Sequence, residues 1–259
     1  MITIDSDLIR EMAEKGVRID NRKFDLYRKI KIEKGVISSA EGSARVEIGN
    51  TKVIAGIKMD IGEPYSDTPD EGVMSVGAEF VPLASPEFES GPPGAAAIEL
   101  ARVVDRAIRE SKCIDFKKLA IDKEHVWMVF VDIDILDDDG NLIDASGLAA
   151  IAALMNARIP EIGEEFKINY EKKTKPLPIE GIPVSTTVAK IDGKLLVDPC
   201  LVEFEALDSR LTVGTVEKKD GVYMCSMQKG GSTGLTLEEI DEMIALAIEK
   251  GNELRELLK

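Results

Sequence analysis

The stretch from Gly35 to Met59, GVISSAEGSARVEIGNTKVIAGIKM, constrains the fold of this chain more than any other. Ala44, Val46 and Ile48 alternate with polar residues, and Val53, Ala55, Ile57 and Met59 do the same. Successive side chains of a strand point to opposite faces, so each run has one face to bury and one to expose. Gly49-Asn50-Thr51 stands between them, rich in residue types that tolerate positive φ. The pattern predicts an antiparallel hairpin with one buried face.

Around this hairpin the sequence reads as two halves, each a set of antiparallel strands followed by a helix. In the first, strands are predicted over Tyr27 to Glu33, Val73 to Leu83 and Val126 to Leu136, with helices over Ala95 to Cys113 and Asp144 to Ala157. In the second, strands are predicted over Val184 to Lys190, Leu195 to Val197, Leu211 to Glu217 and Val222 to Met227, with turns at Asp192-Gly193 and Asp220-Gly221. A closing helix starts at Thr236, where Thr236 and Glu239 form a capping box. Ile240, Met243, Ile244, Ala247 and Ile248 mark its buried face. The first 15 residues suggest a polar amphipathic helix, with Ser6 as N-cap, Leu8 and Met12 on one face and Gly16 as its stop. Between the halves, Pro160 to Pro183 holds four prolines and reads as a connecting segment. The expected organisation is a single α+β domain with internal duplication: a first half over about 17–160, a connecting segment over about 161–183 and a second half over about 184–259.

With 259 residues, 44% of them hydrophobic, the chain can bury a sizeable core. The net charge of -15 argues against indiscriminate nucleic-acid binding, which needs a concentrated basic surface. Any contact with RNA must use a local basic patch or a partner's charge. Cys113, Cys200 and Cys225 are widely spaced and read as small buried hydrophobes; the single His125 reads as a strand-entry residue. No metal site is expected. The acids Asp132, Asp134 and Asp137-Asp138-Asp139 lack calcium-loop spacing, since Ile135 stands where an acid is needed; they read as the solvent face of a strand ending in a hairpin. Lys229 to Gly234 reads as a strand-to-helix loop, and Ser85 to Gly94 as irregular. No apolar run is long enough to span a bilayer, and the expected location is cytoplasmic.

One basic feature stands out against the acidic total. Along the helix AAAIELARVVDRAIRESK, Arg102, Arg106 and Arg109 fall within roughly 60° of one another, opposite Leu100, Val103, Val104, Ala107 and Ile108. They make either a solvated helix face with Glu99, Asp105 and Glu110 as local partners, or a track of guanidinium forks for phosphodiester oxygens.

The words Arg18-x-Asp20-x-Arg22, I-K-I-E-x-G-V, E-G-S-A and G-N-T-K-V closely resemble the opening of RNase PH-like proteins, and almost the whole chain resembles the non-catalytic ring subunits of archaeal exosomes. The resemblance implies an RNase PH-like fold, also called ribosomal protein S5 domain 2-like, with two pseudo-duplicated sheet-plus-helix halves. It implies a catalytic RNase PH-like partner in an alternating hexameric ring, RNA-binding cap proteins and single-stranded RNA as substrate, with no cofactor. It also assigns Arg102 and Arg106 to the RNA 3′ end, with Arg109 as a further candidate.

Catalytic members perform phosphorolysis, which needs cations and hydroxyls to seat inorganic phosphate and acids to manage a metal or a proton. Where they carry an Arg-Arg pair, this chain has Ala95-Ala96; where they carry a Gly-Ser/Thr-Arg phosphate motif, it has Leu142-Ile143. Where they carry E-D-x-x-x-x-D-M, whose second Asp is essential to the chemistry, the best register over Glu203 to Leu211 places Arg210 opposite that Asp, and Asp208 lies two residues away, on the same face if that segment is a strand. The expectation is therefore a non-catalytic chain that completes a partner's active site. Two rivals are an independent phosphorolytic enzyme using Asp198, Glu203, Glu205 or Asp208, and a ring scaffold with no RNA contact.

Overall fold

The computed structural model describes residues 6–259. The hairpin forms as its alternation requires: β2 (Gly42–Ile48) pairs antiparallel with β3 (Thr51–Gly62), Ile48 opposite Thr51. The turn is only Gly49-Asn50, with Gly49 at φ 59°, and Thr51 already belongs to the strand. Every apolar residue of the alternation is fully buried. β1 (Ile30–Lys34) pairs with β2, and β5 (Val126–Asp137) with β3, both antiparallel.

The edge strand departs from the expected antiparallel pattern. β4 (Val73–Phe80) pairs parallel with β5, giving the order β1-β2-β3-β5-β4. Parallel neighbours need a long crossover, and here α2 (Ala95–Ser111) lies in that connection. The second sheet is antiparallel throughout, in the order β11-β10-β8-β9, from β8 (Ile182–Ile191), β9 (Lys194–Val197), β10 (Ser209–Lys218) and β11 (Gly221–Gly231).

α2 and α3 (Leu142–Asn156) lie between the sheets, and α5 (Leu237–Leu258) covers the far face of the second. Buried residues run unbroken through α3 from Ile143 to Leu154, because both its sides are covered. Toward the first sheet it packs Leu148, Ile151 and Leu154 into the main core. Close approach is enforced by Gly42 on β2, where an added Cβ would stand 2.5 Å from the Ala157 Cα. Toward the second sheet α3 turns polar residues, among them Asp144, which accepts from Thr187 of β8. On α5 the capping box of Thr236 and Glu239 forms, and Met243 and Ala247 are fully buried against Val188, Leu211 and Val213. Ile240, Ile244 and Ile248 are only half-buried.

Several elements differ from expectation. The segment over 161–183 is not a bare connection: β6 (Arg158–Ile162) and β7 (Ile168–Pro176) form a separate two-stranded sheet, since Pro160 and Pro176 sit at positions a ribbon edge tolerates. The acidic strand ends in a turn over 138–141 that launches α3, not in a hairpin. β11 extends through Gly231, so Lys229 to Gly231 are strand. A short α4 (Leu201–Ala206) forms between β9 and β10, where no element was expected. In α1 (Ser6–Glu14), Ile9 and Ala13 are buried against Ala189, Ile191, Leu196 and Ala206, while Leu8 is half-exposed. Ser6 is helical there, and the position before it lies outside the described residues. Gly16, at φ 75°, ends α1 as expected. His125 enters β5 with its ring near Asp122 and stacked on Phe166 at 4.0 Å. Among the described residues no helix is long and apolar enough to cross a membrane.

Candidate nucleic-acid interface

α2 buries Leu100, Val103, Val104, Ala107 and Ile108 against the sheets, which forces Arg102 and Arg106 outward. Both arginines line a groove of about 330 Å³ between α2 and strands β10 and β11, whose far wall includes Thr212, Met227 and Gln228. Arg102 has no hydrogen-bond or ion-pair partner among the described residues. Arg106 meets Glu110 at 2.8 Å, with both side chains well exposed, a pairing of little strength that an incoming phosphate can displace. The groove thus offers guanidinium donors on an apolar floor.

Arg109 does not join them. It donates to Asp105 at 2.6 and 3.1 Å and to the Met74 carbonyl of β4 at 3.0 Å, and it lies outside the groove. The hydrogen bond to Asp105 is the main cause of its raised pKa. The three-arginine stripe is therefore split, because the third guanidinium lies within reach of a sheet carbonyl and of the acid one turn back.

The positions that depart from the catalytic pattern converge from distant parts of the chain. Ala96, Leu142, Ile143 and Arg210 all line a cavity of about 540 Å³ on the other side of Glu99, while Ala95 lines the α2 groove. Methyl and aliphatic groups there offer no donor to phosphate. Arg210, the residue that the resemblance sets against a catalytic carboxylate, is buried and pairs with Glu99 at 2.8 Å. Asp208 does not share that face. It precedes β10 and accepts from Arg10 at 2.7 Å and from the Asp192 N–H at 2.8 Å.

The other acids of the rival enzyme reading are mostly occupied. Glu203 is buried and receives Arg18 through two bonds of 2.6 and 2.9 Å. Asp198 is fully buried and receives a bidentate fork from Arg28 at 2.8 and 2.9 Å, plus Arg22 at 2.8 Å. Burial alone would raise the Asp198 carboxyl, but the hydrogen bonds and charge of Arg28 hold it below the usual range. Glu205 is exposed and lines the cavity.

The Arg18-x-Asp20-x-Arg22 element, which at the level of sequence carried only resemblance, is thus part of a clamp. Arg18 also donates to the Val197 and Asp198 carbonyls, and Arg28 to the Asp139 carbonyl, so the chain's opening is tied to both halves. Asn141 continues the network by donating to Asp198 and to Asp144. Asp144 is fully buried; burial pushes its pKa up to about 6 despite hydrogen bonds from Tyr27, Thr187 and Asn141. Sequence reading passed over Arg28 and Asp144, since neither stands in a periodic motif. The one available signal was a carboxylate within an otherwise apolar helix.

The RNase PH model for domain 1 of the 3′ exoribonuclease family matches residues 26–160, and that for domain 2 matches residues 181–250. The chain belongs to the RNase PH family. Its relatives within that family include exosome complex component Rrp42 of Methanocella arvoryzae, 49% identical over 99% of this chain and 96% of the relative. Exosome complex component Rrp42 of Archaeoglobus fulgidus is 48% identical over 100% of this chain and 97% of its own. Among solved structures, a chain of an Archaeoglobus fulgidus exosome with RNA bound to the active site superimposes with a TM-score of 0.91 at 49% identity, covering 98% of this chain and 97% of that one. Rice Rrp46, at 17% identity and a TM-score of 0.68 over 93% of this chain and 98% of its own, shares the RNase PH fold.

Proposed function

We propose that this chain is a non-catalytic subunit of an archaeal exosome, a phosphorolytic 3′-to-5′ exoribonuclease. It alternates with a catalytic RNase PH-like partner in a hexameric ring, structures that partner's active site and holds single-stranded RNA through Arg102 and Arg106. Arg109 braces α2 on β4 instead. The observation that carries this reading is the division at Glu99: accessible guanidinium groups on the groove side, and a cavity on the other side whose Ala96, Leu142 and Ile143 give phosphate no donor. The Rrp42 relatives, nearly full-length and close to half identical, support it. In this reading the two halves, about 17–160 and 184–259, fold as one domain joined by the Arg18, Arg22 and Arg28 clamp, and the ring works in the cytoplasm with RNA-binding cap proteins.

The test is a poly(A) phosphorolysis assay on the purified chain, alone and co-assembled with a catalytic RNase PH-like chain. Alone, in phosphate and Mg²⁺, it is expected to release no ADP; together they are expected to form an equimolar ring by light scattering and to shorten the RNA. Release of ADP by a preparation free of partner would overturn the non-catalytic assignment. Failure to associate with any such chain would overturn the ring.

A further inference from the structure

Two acids stand one turn from Arg102 on α2, Glu99 before it and Asp105 after it, at a spacing where helical ion pairs form. Only Glu99 lines the groove with Arg102 and Arg106. Spacing alone would pair it with Arg102, as Arg106 pairs with Glu110 at 2.8 Å. Instead Arg102 has no partner among the described residues, and the Glu99 carboxylate accepts from Arg210 Nη2 at 2.8 Å. A residue 111 positions away along the chain has taken the acid that the helix offers to its own arginine.

The fold builds a place for that competitor. The Arg210 side chain is 8% exposed and that of Glu99 44%, so the guanidinium is the fixed partner and the carboxylate the movable one. Arg210 stands opposite Gly230 in the pairing of β10 with β11, and a Cβ added to Gly230 would lie 2.7 Å from both Cζ and Nε of Arg210. Gly230 is inside the strand and has no left-handed φ, so no turn calls for a glycine there. The guanidinium fills the space that a side chain would need. The Phe204 ring, 5.9 Å from the Arg210 Cζ, adds a further contact. A charge-assisted hydrogen bond from an arginine seated in this way outcompetes an ion pair at a solvated helix surface, which gains little.

We propose that Arg210 is a positioning residue for RNA binding: by holding Glu99 it keeps the Arg102 guanidinium open to a phosphate, a role that depends on RNA being held by Arg102 and Arg106 as proposed above. Without Arg210, Glu99 turns to Arg102, and an incoming phosphate meets a neutralised arginine beside a carboxylate.

The experiment is a double-mutant cycle on the ring co-assembled with a catalytic chain, using Arg210→Met, Glu99→Gln and the two together, read by binding of labelled oligo(A) over a range of salt. Arg210→Met leaves Glu99 at the surface and not as a buried orphan, so the variant is expected to fold, with circular dichroism and light scattering checking chain and ring. It should bind RNA roughly fivefold more weakly. Adding Glu99→Gln should bring binding back to within about twofold of wild type, whereas Glu99→Gln alone should gain less than about twofold, because Arg210 already holds that charge. Gly230→Ala, which displaces the guanidinium without removing it, should reproduce the loss. A merely structural role for Arg210 would give no rescue by Glu99→Gln. Wild-type binding by Arg210→Met, or an equal gain from Glu99→Gln in both backgrounds, would overturn the proposal. The isolated chain supplies a readout without RNA: the Arg102 side-chain Nε–H resonance should shift in Arg210→Met and return in the double variant, and a resonance that does not move would show that Glu99 never reaches Arg102. Arg102→Glu with Arg106→Glu separates the two levels. If that ring binds RNA as wild type does, the RNA-holding role falls and the positioning role with it; if it binds weakly while Arg210→Met binds normally, only the positioning role falls.

Discussion

Two pairs of arginines, each four residues apart, do opposite things in this molecule. Arg18 and Arg22 are drawn into the clamp, where Glu203, Asp198 and backbone carbonyls take their donors; the Arg18 side chain is 1% exposed. Arg102 and Arg106 face a groove, the first unpartnered among the described residues and the second, 57% exposed, meeting only a surface glutamate. Spacing is the same, so spacing does not decide the role. What decides is how many carboxylates and carbonyls the fold brings within reach. A guanidinium with all its forks filled holds structure together, and one left open can hold a phosphate.

The comparison breaks most visibly if the clamp proves weak. Arg18→Met leaves the buried Glu203 charge uncompensated and is expected to cost about 3–5 kcal/mol of stability, read from urea or thermal unfolding. A loss below about 1 kcal/mol would place Arg18 with the surface ion pairs instead.

The next effect tests how far the clamp reaches through Asn141 to Asp144. With its folded pKa raised to about 6, above the ordinary carboxyl value, Asp144 binds a proton more tightly folded than unfolded. Its contribution to stability is therefore full below about pH 4 and declines as pH rises to about 6, by up to about 3 kcal/mol. Burial raises Asp132, Asp134 and Asp138 in the same direction, whereas the lowered Asp198 acts oppositely, at pH values below the ordinary carboxyl range. Urea midpoints between pH 4 and 7, with Asp144→Asn as control, give the answer. An unchanged slope in the variant would release Asp144 from this account.

On the groove side, Arg102→Glu with Arg106→Glu should weaken RNA binding by the assembled ring by about 30-fold or more, taking about 1 kcal/mol per lost phosphate contact. The salt dependence should flatten, while folding stability moves by no more than about 0.5 kcal/mol. Wild-type binding and degradation by an intact double variant across a range of salt would make this a solvated helix face. Smallest of all is Arg109→Ala, expected to cost at most about 1 kcal/mol of stability through Asp105 and to leave RNA binding unchanged. A loss of RNA binding equal to that at Arg102 would restore the three-arginine stripe.

Much of the fold was legible because its signals are local. The alternation in Gly35 to Met59 gave the hairpin, and Thr236 with Glu239 gave the start of α5. The parallel pairing of β4, the ribbon of β6 and β7, and α4 were not legible, since each depends on a neighbour remote in sequence or is too short to show a period. Of the candidate site, the outward face of Arg102 and Arg106 followed from helical spacing. The fate of Arg109 did not, because Met74 comes to it from another strand.

By itself the sequence determined which faces are apolar, where most of the elements begin and end, and that Ala95-Ala96 and Leu142-Ile143 carry no phosphate-binding side chains. These are properties of neighbours along the chain, set by strand and helix periods and by capping chemistry. Only the tertiary structure decided that Ala96, Leu142, Ile143 and Arg210 share one cavity, that Glu99 divides it from the arginine groove, and that Arg18, Arg22 and Arg28 close on Glu203 and Asp198. Those outcomes depend on packing two sheets around α2 and α3, which brings together charges more than a hundred residues apart and determines which of them are buried in pairs and which stay open to a ligand.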